Sequence, residues 1–170
     1  MRLEDEVFAC KSKADLASLL AREPVLAEDF LYWTGYPSDS AAVEALWVMF
    51  SHPAMDTLYQ EVKARFPEGL SELGPELKGL FARLQEYYPQ AQVPQIKTCL
   101  SGLQNDLYLS DTLVVIGLDY FIGPTARWRP KLYEYMLRRF DKPYIAPQLA
   151  LLVANRYNST STADQSALAE

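Results

Sequence analysis

At 170 residues and a net charge of −6, the chain has the length of one domain, long enough to bury roughly 70% of its unfolded surface. Its 49% apolar and 22% charged residues are those of a soluble globular protein, and its acidic balance argues against nucleic acid, whose phosphates need clustered cations. Two cysteines, Cys10 and Cys99, are too few for a disulfide framework, and no apolar run approaches the roughly 18 residues of a membrane-spanning helix.

Arg2-Leu3-Glu4-Asp5-Glu6 puts charge where a secretory leader needs an apolar region. Val7-Phe8-Ala9-Cys10 is therefore not a lipoprotein cleavage box. The chain reads as starting inside a longer protein whose leader has been removed. Lys13–Arg22 places Leu16, Leu19 and Leu20 at helical spacing behind Ser12 as N-cap. Pro24 opens a second helix to about Trp33, carrying Val25, Leu26, Phe30 and Leu31. Thr34-Gly35-Tyr36-Pro37 breaks it. Ser38 or Asp39 caps a third helix, Ser40–Phe50, with Val43, Leu46, Trp47 and Phe50 on one stripe. Pro53 starts a fourth with Met55, Leu58, Tyr59, Val62 and Phe66 inward, and Pro67-Glu68-Gly69 ends it. Ser71–Tyr88 reads as a fifth, broken near Gly74-Pro75, with Leu73, Leu77, Leu80, Phe81, Leu84 and Tyr88 as its apolar set.

The composition changes at Pro89. Residues 95–118 read as two or three consecutive strands, with turn signals at Ser101-Gly102, Asn105-Asp106 and Ser110-Asp111. Ile96, Thr98 and Leu100 alternate on one face. Leu107–Leu109 makes a short strand. Leu113–Leu118 is almost continuously apolar and should be buried on both faces. Asp119–Pro124 is a short turn or helix. Lys131–Phe140 is amphipathic. Tyr144–Tyr157 carries few charges and should be buried on most sides, with Pro147 tolerated in its first turn. Asn158–Asp164 is a polar linker. Ala163–Glu170 begins a helix too short to stand alone, so the protein is expected to continue past Glu170. The expected fold is α+β, mostly helical with a small, largely antiparallel sheet. It forms a single domain: 1–90 helical, 91–123 a strand meander, 124–170 helices, incomplete at the C-terminus.

The residues that carry chemistry are sparse. His52, the only histidine, precedes Pro53 at a helix junction and reads as a cap or solvent residue. Cys99 lies in an alternating strand with no histidine beside it and reads as a packed thiol. Asp106–Asp111 lacks the spaced acids and glycine of a calcium loop, and Gly117 and Gly123 do not make a phosphate loop. Asp111 and Asp119 bracket one strand, about 25 Å apart, too far for a glycosidase pair. Asp119 reads as a cap for the turn Tyr120–Gly123, although its place after a buried strand is also one where a site can sit. Arg127, Arg129, Lys131, Arg138, Arg139 and Lys142 form the one basic cluster. They read as a solvated face, or as a surface for an acidic partner or anionic lipid headgroups. Asn158-Ser159-Thr160 matches a glycosylation acceptor and implies an exposed loop.

Several stretches taken together resemble the gliding-motility lipoprotein GldB family of Bacteroidetes. They are Arg2-Leu3-Glu4…Phe8, Leu58-Tyr59-Gln60-Glu61-Val62…Phe66-Pro67, Phe81…Tyr87-Tyr88-Pro89, Pro94…Ser101-Gly102, Ile116–Gly123, and Arg138-Arg139-Phe140…Pro143-Tyr144-Ile145-Ala146-Pro147. The resemblance implies a distant likeness to HExxH zinc peptidases, in which strands are followed by a buried metal-binding helix. Tyr144–Tyr157 occupies that place without a histidine. The implied protein is a zincin-like half-domain that has lost its metal ligands, part of a membrane-anchored lipoprotein of the cell envelope. Its expected role is non-catalytic, with no cofactor and no metal. The expected partners are other proteins of the gliding and type IX secretion machinery, and the membrane is met only through a lipid anchor outside this chain. A residual groove around Asp119, Tyr120, Tyr144 and Gln148 would bind an extended segment added to an exposed sheet edge. Two alternatives stand beside this: a metal-dependent hydrolase whose ligands come from a missing C-terminal half plus Asp119, and a purely structural helical domain with no groove.

Overall fold

A computed structural model describes residues 1–157. The linker and short helix expected after Asn158, with the glycosylation acceptor, lie outside the described residues. The chain is mixed α and β, mostly helical, with one three-stranded sheet.

Most of the helices form where their caps and apolar stripes placed them, and one was not expected. Helix α1, Leu3–Ala9, was concealed by its charges. Glu4, Asp5 and Glu6 fill its first turn, where the partial positive charge of the helix end favours acids, while Leu3 and Val7 are buried. Helix α2, Lys13–Arg22, is capped by the Ser12 hydroxyl, which accepts from the Asp15 N–H at 3.2 Å. The helix opened by Pro24 runs only to Phe30 instead of Trp33. It widens into a π-type turn over Leu26–Phe30, and Tyr32 then sits in the left-handed region at φ 53°. Helix α3, Asp39–Phe50, takes Ser38 as its cap. Helix α4, Pro53–Arg65, begins at His52, whose Nδ1 accepts from the Ala54 N–H at 3.1 Å, so the one histidine is a cap. Met55, Leu58, Tyr59, Val62 and Phe66 are all buried. Helix α5, Gly74–Tyr87, follows a tight turn at Ser71–Leu73 and starts with Pro75 in its first turn.

The sheet departs from the expected antiparallel meander. Strands β1 (Gln95–Cys99), β2 (Leu107–Leu109) and β3 (Leu113–Gly117) lie in the order β1-β3-β2. Strand β3 is central, parallel to β1 over five pairs and antiparallel to β2 over three. All five β3 residues are buried, as their continuous apolar run requires. A parallel pair needs a crossover, so the chain leaving β1 must pass the end of β3 before β2 can return beside it.

After β3, Leu118–Tyr120 forms one tight turn. The amphipathic stretch expected over Lys131–Phe140 yields only the single-turn helix α6, Glu134–Leu137. Residues ahead of it run irregularly, with Trp128 half-buried and Pro130 buried between exposed Arg127, Arg129 and Lys131. That alternation has the period of an extended chain, not of a helix. Helix α7, Ile145–Tyr157, packs against β2 and α5. It is not buried on most sides. Ile145, Ala146, Leu149 and Val153 face inward, while Pro147, Ala150, Leu151 and Ala154 are exposed.

Candidate functional site

The sequence pointed to Asp119, and the structure gives it a structural task. Asp119 is fully buried. Its carboxylate accepts from the Leu103 N–H at 2.6 Å, from the Ser101 N–H at 3.1 and 3.2 Å, and from the Ser101 hydroxyl at 3.3 Å. The Ser101 hydroxyl in turn accepts from the N–H groups of Gln104 and Asn105. Gly102 and Leu103 both have positive φ, 70° and 63°. Residues 101–106 are thereby folded into a tight loop that carries the chain across the end of β3. The crossing is close: the Gly117 N–H donates to Asp106 O at 2.7 Å, and a Cβ on Gly117 would lie 2.2 Å from Asn105 O. The Gly117-Leu118-Asp119 run is therefore the clamp on the crossover. Burial raises the Asp119 pKa from 3.8 to about 6, against the lowering effect of the Leu103 and Ser101 hydrogen bonds. A carboxylate with that value is a competent proton acceptor near neutrality, but its complete burial keeps it from a partner or substrate.

The other three expected groove residues are not gathered around it. The Tyr120 hydroxyl donates to Leu103 O at 3.1 Å, and its ring lies 5.2 Å from that of Phe140. The Gln148 amide donates to Arg139 O. Tyr144 is 45% exposed at the start of α7. The first two therefore hold the loop and the segment before α7 in place, and only Tyr144 offers a surface. Edge-strand addition also meets obstacles. Along β1, Arg2 bridges Thr98, and the Thr98 N–H donates to Met1 O at 3.0 Å. The opposite edge, β2, is three residues long.

A groove does exist elsewhere, and the four expected residues do not line it. It is an open apolar trough of about 860 Å³ between α5 and α7. From α5 come Gly79, Leu80, Arg83, Leu84 and Tyr87, and from α7 come Pro147, Ala150, Val153 and Ala154. Helical spacing of four brings Ala146, Ala150 and Ala154 into one row. Their small side chains leave the space, and a Cβ on Gly79 would meet nothing within 4 Å. One end is closed by Tyr88 and Tyr157, whose rings are 5.0 Å apart, the Tyr88 hydroxyl donating to Tyr157 O at 3.2 Å. Tyr87, 80% exposed, stands on the rim. The volume is within the range of small ligand sites, and the lining is that of a contact surface. The sequence signal was present in α7: a helix apolar around its circumference must be covered on each side by something.

Elsewhere the reactive groups are occupied. Cys99 is fully buried, and desolvation pushes its thiol well above the ordinary value, helped by the nearby acids Glu4 and Asp119. Such a thiol is a core group, not a nucleophile. Glu4 is fully buried and accepts from Arg2 Nε at 2.9 Å and from the Thr98 hydroxyl at 2.7 Å, tying α1 to β1. Among the described residues no three of His, Cys, Asp and Glu converge on a point where they could hold a metal ion. No described helix is long and apolar enough to cross a membrane.

Comparison with known proteins shows a family match. The family model described as gliding motility protein GldB, a lipoprotein family by its name, matches residues 1–170. None of the curated proteins and none of the solved structures compared matches the chain.

Proposed function

This chain belongs to the GldB family of gliding motility proteins, and we propose that it serves that family as a non-catalytic interaction module whose contact surface is the α5–α7 groove. The occupant is a segment of another protein of the gliding and secretion machinery, carrying apolar side chains into the trough. The observation that carries this reading is the uncovered apolar face of α7. Pro147, Ala150 and Ala154 are exposed on a helix whose one charged residue is Arg156, and they line a cavity that the described residues leave unfilled. Besides tyrosines, Glu76 and Arg83 are the ionisable groups of the lining. The walls pair no nucleophile with a base, so what the groove offers is contact area and an aromatic rim. Tyr87 and Tyr88 are the anchors this chemistry favours, since tyrosine gives apolar area with a hydroxyl and few rotatable bonds.

An ancestral peptidase-like scaffold and a lipid-anchored place in the cell envelope belong to the same proposal. The family's lipoprotein name supports the second, and a mixed fold with α7 packed on the sheet edge is compatible with the first.

A photo-crosslinking residue placed at Ala150 in gliding cells tests the site, with Ala64 on α4 as the exposed control. The expected result is a covalent adduct with a gliding-machinery protein from Ala150 and none from Ala64. Equal labelling from both positions, or none from Ala150, would overturn it.

A further inference from the structure

The basic cluster is not a helix face. Among the described residues it is a built surface of another kind. Residues 127–139 hold five of the chain's 16 basic residues, Arg127, Arg129, Lys131, Arg138 and Arg139, against one of its 22 acids, Glu134. This stretch carries +4 and the remainder of the chain −10. All five cations are exposed, and among the described residues none makes an ion pair. Between them project Leu132, Tyr133 and Tyr135, which are 37, 74 and 69% exposed. The two tyrosine rings stack at 6.0 Å and 14°. The strip is held from beneath by buried Pro130 and Leu137 and half-buried Trp128 and Phe140, the last packed on Phe121 and Tyr120.

We propose that residues 127–139 form a docking surface for the anionic headgroups of a phospholipid bilayer. Arginine and lysine bind the phosphates, and the paired tyrosines and Leu132 enter the headgroup region, where rings with one apolar and one polar side are most stable. The rest of the molecule supports this occupant over an acidic protein. A body carrying −10 is repelled by an anionic bilayer on its other faces, so attraction through this strip also fixes which way the module faces. Protruding tyrosine and leucine are of no use to purely electrostatic pairing. The lipoprotein name of the family explains why a bilayer is at hand, and the binding itself rests on the strip.

The test is co-sedimentation of the full chain with phosphatidylcholine vesicles, with and without phosphatidylglycerol, at low and high salt. Vesicles containing the anionic lipid should bind at least about tenfold more tightly than neutral ones, and high salt should remove the difference. Arg138→Glu with Arg139→Glu should weaken binding about tenfold or more. Lys11→Glu with Lys78→Glu, the same change in net charge elsewhere, should weaken it far less. Tyr133→Ser with Tyr135→Ser should weaken binding at high salt as well as low. Equal binding to both vesicle types, equal effects of the two charge reversals, or binding to polyglutamate but not to vesicles would each overturn the proposal. Vesicle binding needs no protein partner, so its failure leaves the groove reading standing, and the loss of Ala150 crosslinks leaves this one standing.

Discussion

Asp119 shows how one residue can carry two readings. An acid after a buried strand read as a cap for the turn that follows it and also as a place for a site, and it proves to be the clamp of the chain crossover, held by two N–H groups and a hydroxyl. Its chemistry has a pH consequence. Its pKa in the folded chain, about 6, lies above the ordinary 3.8. The folded state therefore holds this proton more tightly than the unfolded state, and the contribution to stability is fully present below about pH 4 and lost as pH rises through 6. In urea melts from pH 4 to 7, the wild type should lose up to about 3 kcal/mol relative to Asp119→Asn, which has no such proton. A constant difference between the two would show that the carboxyl titrates normally. Gly117 is the second test of the crossover. A methyl there meets Asn105 O at 2.2 Å, backbone against backbone, so Gly117→Ala should cost about 3 kcal/mol. A neutral result in the same melts would mean that the loop does not cross there.

At the scale of elements, what could be read was what is local. Helices α2, α3 and α4 announced themselves because a cap residue, a proline and a three–four apolar spacing lie within a dozen residues of each other. Helix α1 did not. Its first turn is three acids, and Glu4 is buried only because Arg2 and Thr98, the latter 94 positions away, meet it there. No local pattern carries that information. Breaking the cluster leaves buried partners unpaired, so Glu4→Ala should destabilise the chain by about 3 kcal/mol, measured by chemical denaturation. A loss under about 1 kcal/mol would show that α1 is held by Leu3 and Val7 alone. The strands were legible as strands, but their order was not. Nothing in residues 95–118 states that β1 pairs with β3 in parallel, because the choice is made by the 101–106 loop and its distant clamp. The α5–α7 trough was hidden from the sequence for a related reason. It lies between α5 and α7, with 58 positions from Tyr87 at the end of one to Ile145 at the start of the other and the sheet in between, and only the low charge of α7 hinted at it.

At the scale of the whole molecule, two surfaces stand out among the described residues as uncovered: the apolar trough of about 860 Å³ and the cationic strip over residues 127–139. The proposed occupants are a protein segment for the first and a charged bilayer for the second, which suits a gliding motility family with a lipoprotein name. The core explains why such surfaces can be altered without loss of the fold. Buried Ile145, Leu149 and Val153 hold α7 from the inside, so changes on its outer face should alter stability by less than about 0.5 kcal/mol. The most direct measurement is therefore gliding itself, in cells whose only copy carries Ala150→Glu and Ala154→Glu. With protein level and melting behaviour unchanged, the account predicts that these cells stop gliding. Normal gliding with two glutamates in the trough would contradict it.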